Sequence, residues 1–167
     1  FLYNDNYGLY IHDSKETLVT RSNFSHNKKT GIFTDGTGST DANNNNITEN
    51  FFVNNTLAGI DFSDTDSENN YVWKNNFIDN GGNNQSQSED ATNKFNTTTQ
   101  GNFWSDYNDT AEDCNDTDTN GVCDNPYNIL GAGSNQDELP KLKLIIFGVT
   151  ISSDTANPNV TKLIPIN

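Results

Sequence analysis

Apolar residues in this chain come in short runs that alternate with polar ones, and the runs recur. Gly8-Leu9-Tyr10-Ile11, Gly31-Ile32-Phe33-Thr34 and Gly59-Ile60-Asp61-Phe62 each open on glycine. Seven residues before each glycine stands a phenylalanine (Phe1, Phe24, Phe52), and four before it an asparagine (Asn4, Asn27, Asn55). Asn-x-Phe-x-x-Asn recurs at 50–55 and again at 75–80, while Ser22 takes the leading place before Phe24 and Asn27. A third run lies between: Thr17-Leu18-Val19, Asn45-Asn46-Ile47 and Asn70-Tyr71-Val72. Alternation with period two is the mark of a half-buried strand. The runs are too short for helices.

Aligned on the repeat, the residues fall into columns: Leu9, Ile32 and Ile60; Ile11, Thr34 and Phe62; Val19, Ile47 and Val72; Phe1, Phe24, Phe52 and Phe77. The first spacing is 23 residues and the second 28, the five extra falling in Asp35–Asp41, a loop by composition. Asn, Asp, Ser and Gly fill the turns, where they tolerate left-handed backbone. A solenoid of parallel strands follows, each coil burying its apolar face only by stacking on its neighbours. Like residues then stack at roughly 4.8 Å. Three amide ladders are expected: Asn27, Asn55 and Asn80; Ser22, Asn50 and Asn75; Thr17, Asn45 and Asn70.

Composition alone points elsewhere. The 167 residues carry net charge −14, are 31% hydrophobic and include 30 Asn. Such totals lean toward disorder, and the regular columns reverse that reading, because a narrow solenoid interior needs few apolar side chains. Nine Lys and Arg against 23 acids exclude a nucleic-acid binder, which must displace counterions from phosphates. No apolar run approaches the ~18 residues of a membrane span. The chain starts at Phe1 within the phenylalanine column, in mid-coil, so the expectation is a mature product or a piece of something longer. Either earlier coils precede it or another molecule covers that end.

The run Asn-x-Phe-x-x-Asn-x-x-x-Gly-Ile resembles the right-handed parallel β-helix repeats of the NosD-like, carbohydrate-binding and sugar-hydrolase class, found in secreted and archaeal cell-surface proteins. Gly101-Asn102-Phe103-Trp104-Ser105-Asp106-Tyr107 resembles the block that ends such helices, and residues 118–129 and 137–140 resemble the Asp-rich, Pro-Tyr-x-Ile and Asp-x-x-Pro stretches that follow it. Residues 81–100 depart from the pattern, since the fourth coil loses its glycine. The resemblance implies an all-β fold and an extracellular setting. The chain divides into β-helix coils (1–107), Asp-rich capping loops (108–140) and a β-strand tail (141–167).

Residues 95–140 hold nine acids and no Lys or Arg. Asp116-x-Asp118-x-Asn120-Gly121-x-x-Asp124 matches the front of an oxygen-ligand Ca²⁺ loop, with Asp116, Asp118, Asn120 and Asp124 as ligands. Tyr127 stands where an EF-hand has its Glu, so this is no EF-hand. The alternative is a solvated acidic turn. Cys114 and Cys123 flank the motif. Disulfide, free thiols and a metal pair are all open; the disulfide is preferred, closing a short loop for a gain of about 2–3 kcal/mol in an oxidising compartment. Eight glycosylation sequons occur, at Asn23, Asn46, Asn54, Asn84, Asn96, Asn108, Asn115 and Asn159, of which Asn54 and Asn108 read as exposed. This composition gives roughly five to six by chance under the motif rule.

After Pro140 the chain turns apolar. Lys141–Ser152 and Val160–Ile166 read as two strands joined by a turn over Ser153–Asn159, either capping the helix or pairing with a neighbouring subunit.

For chemistry, a glycosidase needs two carboxylates about 5–10 Å apart. Asp35, Asp61 and Asp64 are the catalytic candidates, with no Arg, Lys or His beside them apart from Lys74, and solvated strand-edge acids are the preferred reading. NosD-like proteins are linked with copper, but the lack of Met and near lack of His argue against it here. The expected function is an extracellular structural protein, a glycosylated subunit of a filament, sheath or surface layer that self-associates through end-to-end strand contacts. The alternatives are a carbohydrate-binding module, favoured if Tyr10, Phe33, Tyr71 and Trp73 form a platform on one face, and a polysaccharide hydrolase or lyase.

Overall fold

The computed structural model describes residues 1–36, 41–82, 84–147, 149–154 and 157–165, the last two segments for the backbone only. The centre of the Asp35–Asp41 loop lies outside the described residues. Eleven short strands build the coils: β1 (Leu9–His12), β2 (Leu18–Thr20), β3 (Asn23–Ser25), β4 (Thr30–Asp35), β5 (Asn46–Thr48), β6 (Phe51–Val53), β7 (Ala58–Phe62), β8 (Tyr71–Trp73), β9 (Asn76–Ile78), β10 (Ser86–Ser88) and β11 (Phe103–Trp104). They stack in three parallel sheets. The first sheet orders β1-β4-β7-β10, the second β2-β5-β8 and the third β3-β6-β9-β11. The result is the expected all-β architecture, a parallel β-solenoid of about four turns.

The registers reproduce the sequence columns. Leu9 pairs with Ile32 and Ile32 with Ile60; Val19 with Ile47 and Ile47 with Val72; Phe24 with Phe52 and Phe52 with Phe77. The phenylalanine column runs further than its repeat. Phe1, Phe24, Phe52, Phe77, Trp104 and Tyr127 stack face to face, with centroids 4.7, 5.2, 4.9, 4.3 and 4.2 Å apart in succession. Gly8, Gly31 and Gly59 are required by space. A Cβ at Gly31 would lie 2.6 Å from the Gly59 carbonyl oxygen and 2.9 Å from the Phe52 ring. In the fourth coil Gln85 replaces the glycine, and its side chain turns to use. Its Oε1 accepts from both Asn80 N and Nδ2, filling the place of a next ladder asparagine.

All three ladders form. In each rung between asparagines the amide oxygen of the later coil accepts two bonds, from the backbone N–H and from Nδ2 of the residue one coil earlier, as Asn80 Oδ1 does from Asn55 at 3.1 and 2.8 Å; Thr17 and Ser22 give only the backbone N–H. The remaining Nδ2 proton goes to backbone carbonyls, Phe24 O for Asn55 and Ile47 O for Asn75. These asparagines are wholly buried, at 0–1% exposure, so the ladders make a polar core in which every ladder amide donor has its acceptor. The ladders extend past the expected residues: Asn4 starts one, Asn93 ends another, and Asn102 hands the third to Asp137.

One expectation about the turns needs correction. The left-handed residue is the one before each ladder position, and it is often neither Asn nor Gly. Tyr3, Glu16, Arg21, His26, Glu49 and Lys74 all have φ between 51 and 58°. Left-handed backbone costs such residues about 1–2 kcal/mol. Each offsets this with a backbone bond to the next coil, such as Glu49 N to Lys74 O at 3.1 Å.

The last coil is closed. Trp104 Nε1, Asn102 N and Asn102 Nδ2 all donate to Asp137 Oδ2, and Leu139 N donates to Oδ1. A 3-10 turn (Thr110–Glu112), capped by Asp109, leads into the Cys114–Cys123 disulfide, whose Cα atoms lie 4.9 Å apart. Strands β12 (Tyr127–Asn128) and β13 (Gln136–Asp137) pair antiparallel over the end. The tail differs in part from expectation. Strands β14 (Val149–Asp154) and β15 (Asn157–Pro165) form the hairpin, both reaching into the 153–159 stretch expected as its turn, whose residues 155–156 lie outside the described residues. Residues 141–147 are no strand. They lie across the third sheet, where Ile145 N and O bond the Asn76 side chain at 2.7 and 2.9 Å and Phe147 meets Phe51 edge-on.

Candidate functional site

The outer face of the first sheet gathers the most varied chemistry. Strand alternation sends Tyr10, Phe33, Asp61 and Gln87 outward in one register column. His12 and Asp35 pair two residues further along. Tyr7 stacks on Phe33 at 4.3 Å, Tyr10 lies tilted against both at 5.8 and 5.6 Å, and the Lys29 ammonium sits 5.0 Å from the Tyr7 ring centre. Tyr10 Oη donates to Asp35 at 2.8 Å, and His12 Nδ1 lies 2.6 Å from Asp35 Oδ1. The bond to Asp35 raises His12 above its ordinary range, and the same carboxylate pushes Tyr10 up to about 12. Imidazole, phenol and carboxylate are thus locked to one another beside an aromatic platform.

The three catalytic candidates part company. Asp35 is engaged by Tyr10 and His12, so the expectation that no histidine accompanies the acids is wrong. The register that pairs Leu9 with Ile32 also puts His12 on Asp35, and that signal was present in the columns. Asp64 serves the loop: Oδ2 accepts from Gly36 N and Oδ1 from Ser67 Oγ. Asp61 has a buried Oδ1 with no hydrogen-bond partner. Burial, with Glu89 and Asp64 adding like charge, pushes its carboxyl up to about 6. Lys74 is elsewhere, 3.8 Å from Glu49. The four-ring platform also divides. Tyr10 and Phe33 belong to the first sheet, whereas Tyr71 and Trp73 lie on the second; Tyr7 is the third ring of the actual group.

The Asp-rich loop folds on its own hydrogen bonds. Asp116 accepts from Asn120 N and Gly121 N, Asp118 from Asn120 N and Nδ2, and Asp124 from Thr117 N and Oγ1. Among the described residues no group of three His, Cys, Asp or Glu side chains is placed to hold a metal ion. Of the sequons, Asn23, Asn46 and Asn54 are exposed and Asn84, Asn96, Asn108 and Asn115 partly buried; the Asn159 side chain lies outside the described residues. Asn108, expected to be exposed, instead donates to Ser105 O, and Asn96 is held between Thr97 O and Glu138 N.

Among the described residues no helix is long and apolar enough to cross a membrane. No curated protein and no solved structure matches the chain. A family model does: that of NosD, described as periplasmic copper-binding protein, matches residues 1–109.

Proposed function

Because the chain belongs to the NosD family, and folds as a parallel β-solenoid, we propose that it is a periplasmic or extracellular β-helical protein that binds a saccharide along the outer face of its first sheet. The single observation that carries this reading is the Tyr7–Phe33–Tyr10 platform standing against the Tyr10–His12–Asp35 cluster and Asp61. Aromatic faces pack on the apolar face of a sugar ring, and fixed carboxylates and imidazole meet its hydroxyls. Coils 1–107 are the scaffold, loops 108–140 the cap and 141–167 the tail. Affinity electrophoresis in soluble polysaccharides tests it. Tyr10→Ala with Phe33→Ala should abolish retardation while leaving the melting curve in place; equal retardation of both proteins overturns the reading.

The copper in the family's description finds no fitting donors here. The chain has no Met, both cysteines form the disulfide, His12 is held by Asp35 and His26 stacks on Tyr3. Calcium remains part of the proposal at Asp116, Asp118, Asn120 and Asp124, which the ion would have to draw together: the oxygens of Asp116, Asp118 and Asn120 each keep a lone pair beyond an N–H bond for a hard cation, while Asp124 would offer Oδ1, its Oδ2 being taken by Thr117 N and Oγ1. Calorimetric heat that Asp116→Asn with Asp124→Asn removes supports it, and no heat overturns it.

A structural role in a filament, sheath or surface layer is the second reading. Phe1, Leu2 and Tyr3, which pair with β3, are 54, 53 and 72% exposed, and β1 and β2 stand at the ends of their sheets; such edges accept a further coil. Electron microscopy of native material separates the two, ordered polymers supporting this one and monodisperse particles sinking it.

A further inference from the structure

We propose that residues 141–147 are a redox-releasable strap, clasped across the third sheet by the Cys114–Cys123 disulfide loop. The clasp is made of backbone. Cys123 N donates to Pro140 O at 2.9 Å, Leu142 N donates to Gly121 O at 3.1 Å, and Val122 bridges Lys141 antiparallel. The strap's first two residues, and Pro140 before them, are therefore tied to the chain at the second cysteine, Gly121–Cys123. From there it descends the solenoid coil by coil. Lys141 N bonds Asn102 O at the level of β11, Ile145 bonds both ends of the Asn76 amide on β9, and Phe147 meets Phe51 on β6.

The face beneath is the outward column Phe51, Asn76 and Phe103. Asn76 alternates with core Phe77 and so points away from the interior, yet it is 0% exposed. The strap accounts for this burial. Its own apolar residues give it little hold, for Leu144 and Ile146 are 45 and 72% exposed. A segment with few buried apolar contacts opens at low free energy unless something else pins it. The clasp is that pin, and its loop has reason to spring: Asp116 and Asp118 lie within it and Asp113 and Asp124 flank it, with no Lys or Arg in residues 113–124.

Release is a thiol–disulfide exchange with a dithiol. One thiolate attacks a sulfur of the pair and expels the other as thiolate; the second thiol of the reagent then displaces the protein sulfur. The reagent ends as a cyclic disulfide, and Cys114 and Cys123 end as two thiols. Both sulfurs belong to buried residues, 1 and 2% exposed, so reduction waits on local opening and is slow. The column it leaves presents the Asn76 amide between two aromatic rings, and the segment that fits it is the strap itself, through Ile145 N and O.

Hydrogen exchange on the full chain tests this. In dithiol, amides of 141–147 should exchange at least 10-fold faster while those of Phe52 and Phe77 keep their protection; Cys114→Ser with Cys123→Ser should do the same without reductant. Asn76→Ala in the oxidised protein should free 143–147 and leave Cys123 protected. Unchanged exchange of 141–147 on verified reduction overturns the clasp, unchanged exchange in Asn76→Ala overturns Asn76 as the strap's anchor, and loss of coil protection on reduction overturns the proposal by showing that the disulfide holds the solenoid itself.

Discussion

At the scale of the residue, a buried asparagine here does the work that a leucine does in other cores. Asn75 accepts from Asn50 N and Nδ2 and gives its own protons to Ile47 O, Trp73 O and Asn102 Oδ1. Asn75→Ala leaves several of those groups buried and unpaired, and should cost about 3 kcal/mol in urea unfolding, whereas Asn46→Ala, at an exposed strand position, should stay within about 0.5 kcal/mol. Two acids act in the opposite sense. Asp61 and Asp137 both have carboxyls pushed up to about 6, chiefly by burial. A carboxyl raised in the folded state favours its protonated form there, so each weakens the fold progressively as pH rises from about 4 through 6. The melting temperature should therefore climb between pH 7.5 and 5. Asp61→Asn should flatten that climb and add about 1 kcal/mol at pH 7.5, allowing for screening at a half-exposed group, with no gain at pH 4. The ladder positions were legible because their register is set by the phenylalanines. The left-handed residues before them were not: Arg21 and Lys74 carry no local signal for φ > 0, and the bond that offsets the strain comes from another coil.

At the scale of the element, glycine and the sequons give the clearest tests. Gly31→Ala forces a Cβ against the Gly59 backbone and should destabilise by about 2 kcal/mol or more, since backbone in a stacked coil cannot give way as a flexible side chain would. Peptide mapping of protein from a glycosylating host should find glycans among Asn23, Asn46 and Asn54 and none on Asn96 or Asn108, whose amides are already bonded. Strands were readable wherever apolar residues alternated, and unreadable where they did not. β10 is Ser86-Gln87-Ser88, held in register by the coil below it. Lys141–Phe147 has the residues of a strand and is none, because the third sheet offers it side chains and rings to cross, and only Phe103 and Val122 bridge its first residue.

At the scale of the molecule, the solenoid is finished at one end by a carboxylate. Asp137→Ala strands the N–H groups of Asn102 and Trp104 together, and should cost about 3 kcal/mol, more than the loss of any one exposed loop acid. Chemical denaturation checks this, with Asp137→Asn expected to retain part of the loss because an amide oxygen still takes the last rung.

The rungs also have a sense of travel. In every one the donor belongs to the earlier coil and the acceptor to the later, so the amide dipoles of a ladder all point one way along the axis. Two copies set face to face at their first coils would oppose like poles, and only head-to-tail order would carry the rungs across a junction. On the ladder that runs through Asn102, Asp137 forbids that continuation at the far end by answering the last donors with a full negative charge, while Gln85 and Asn93 end the other two. The stack is a one-way street, and each of its three lanes has its own terminus.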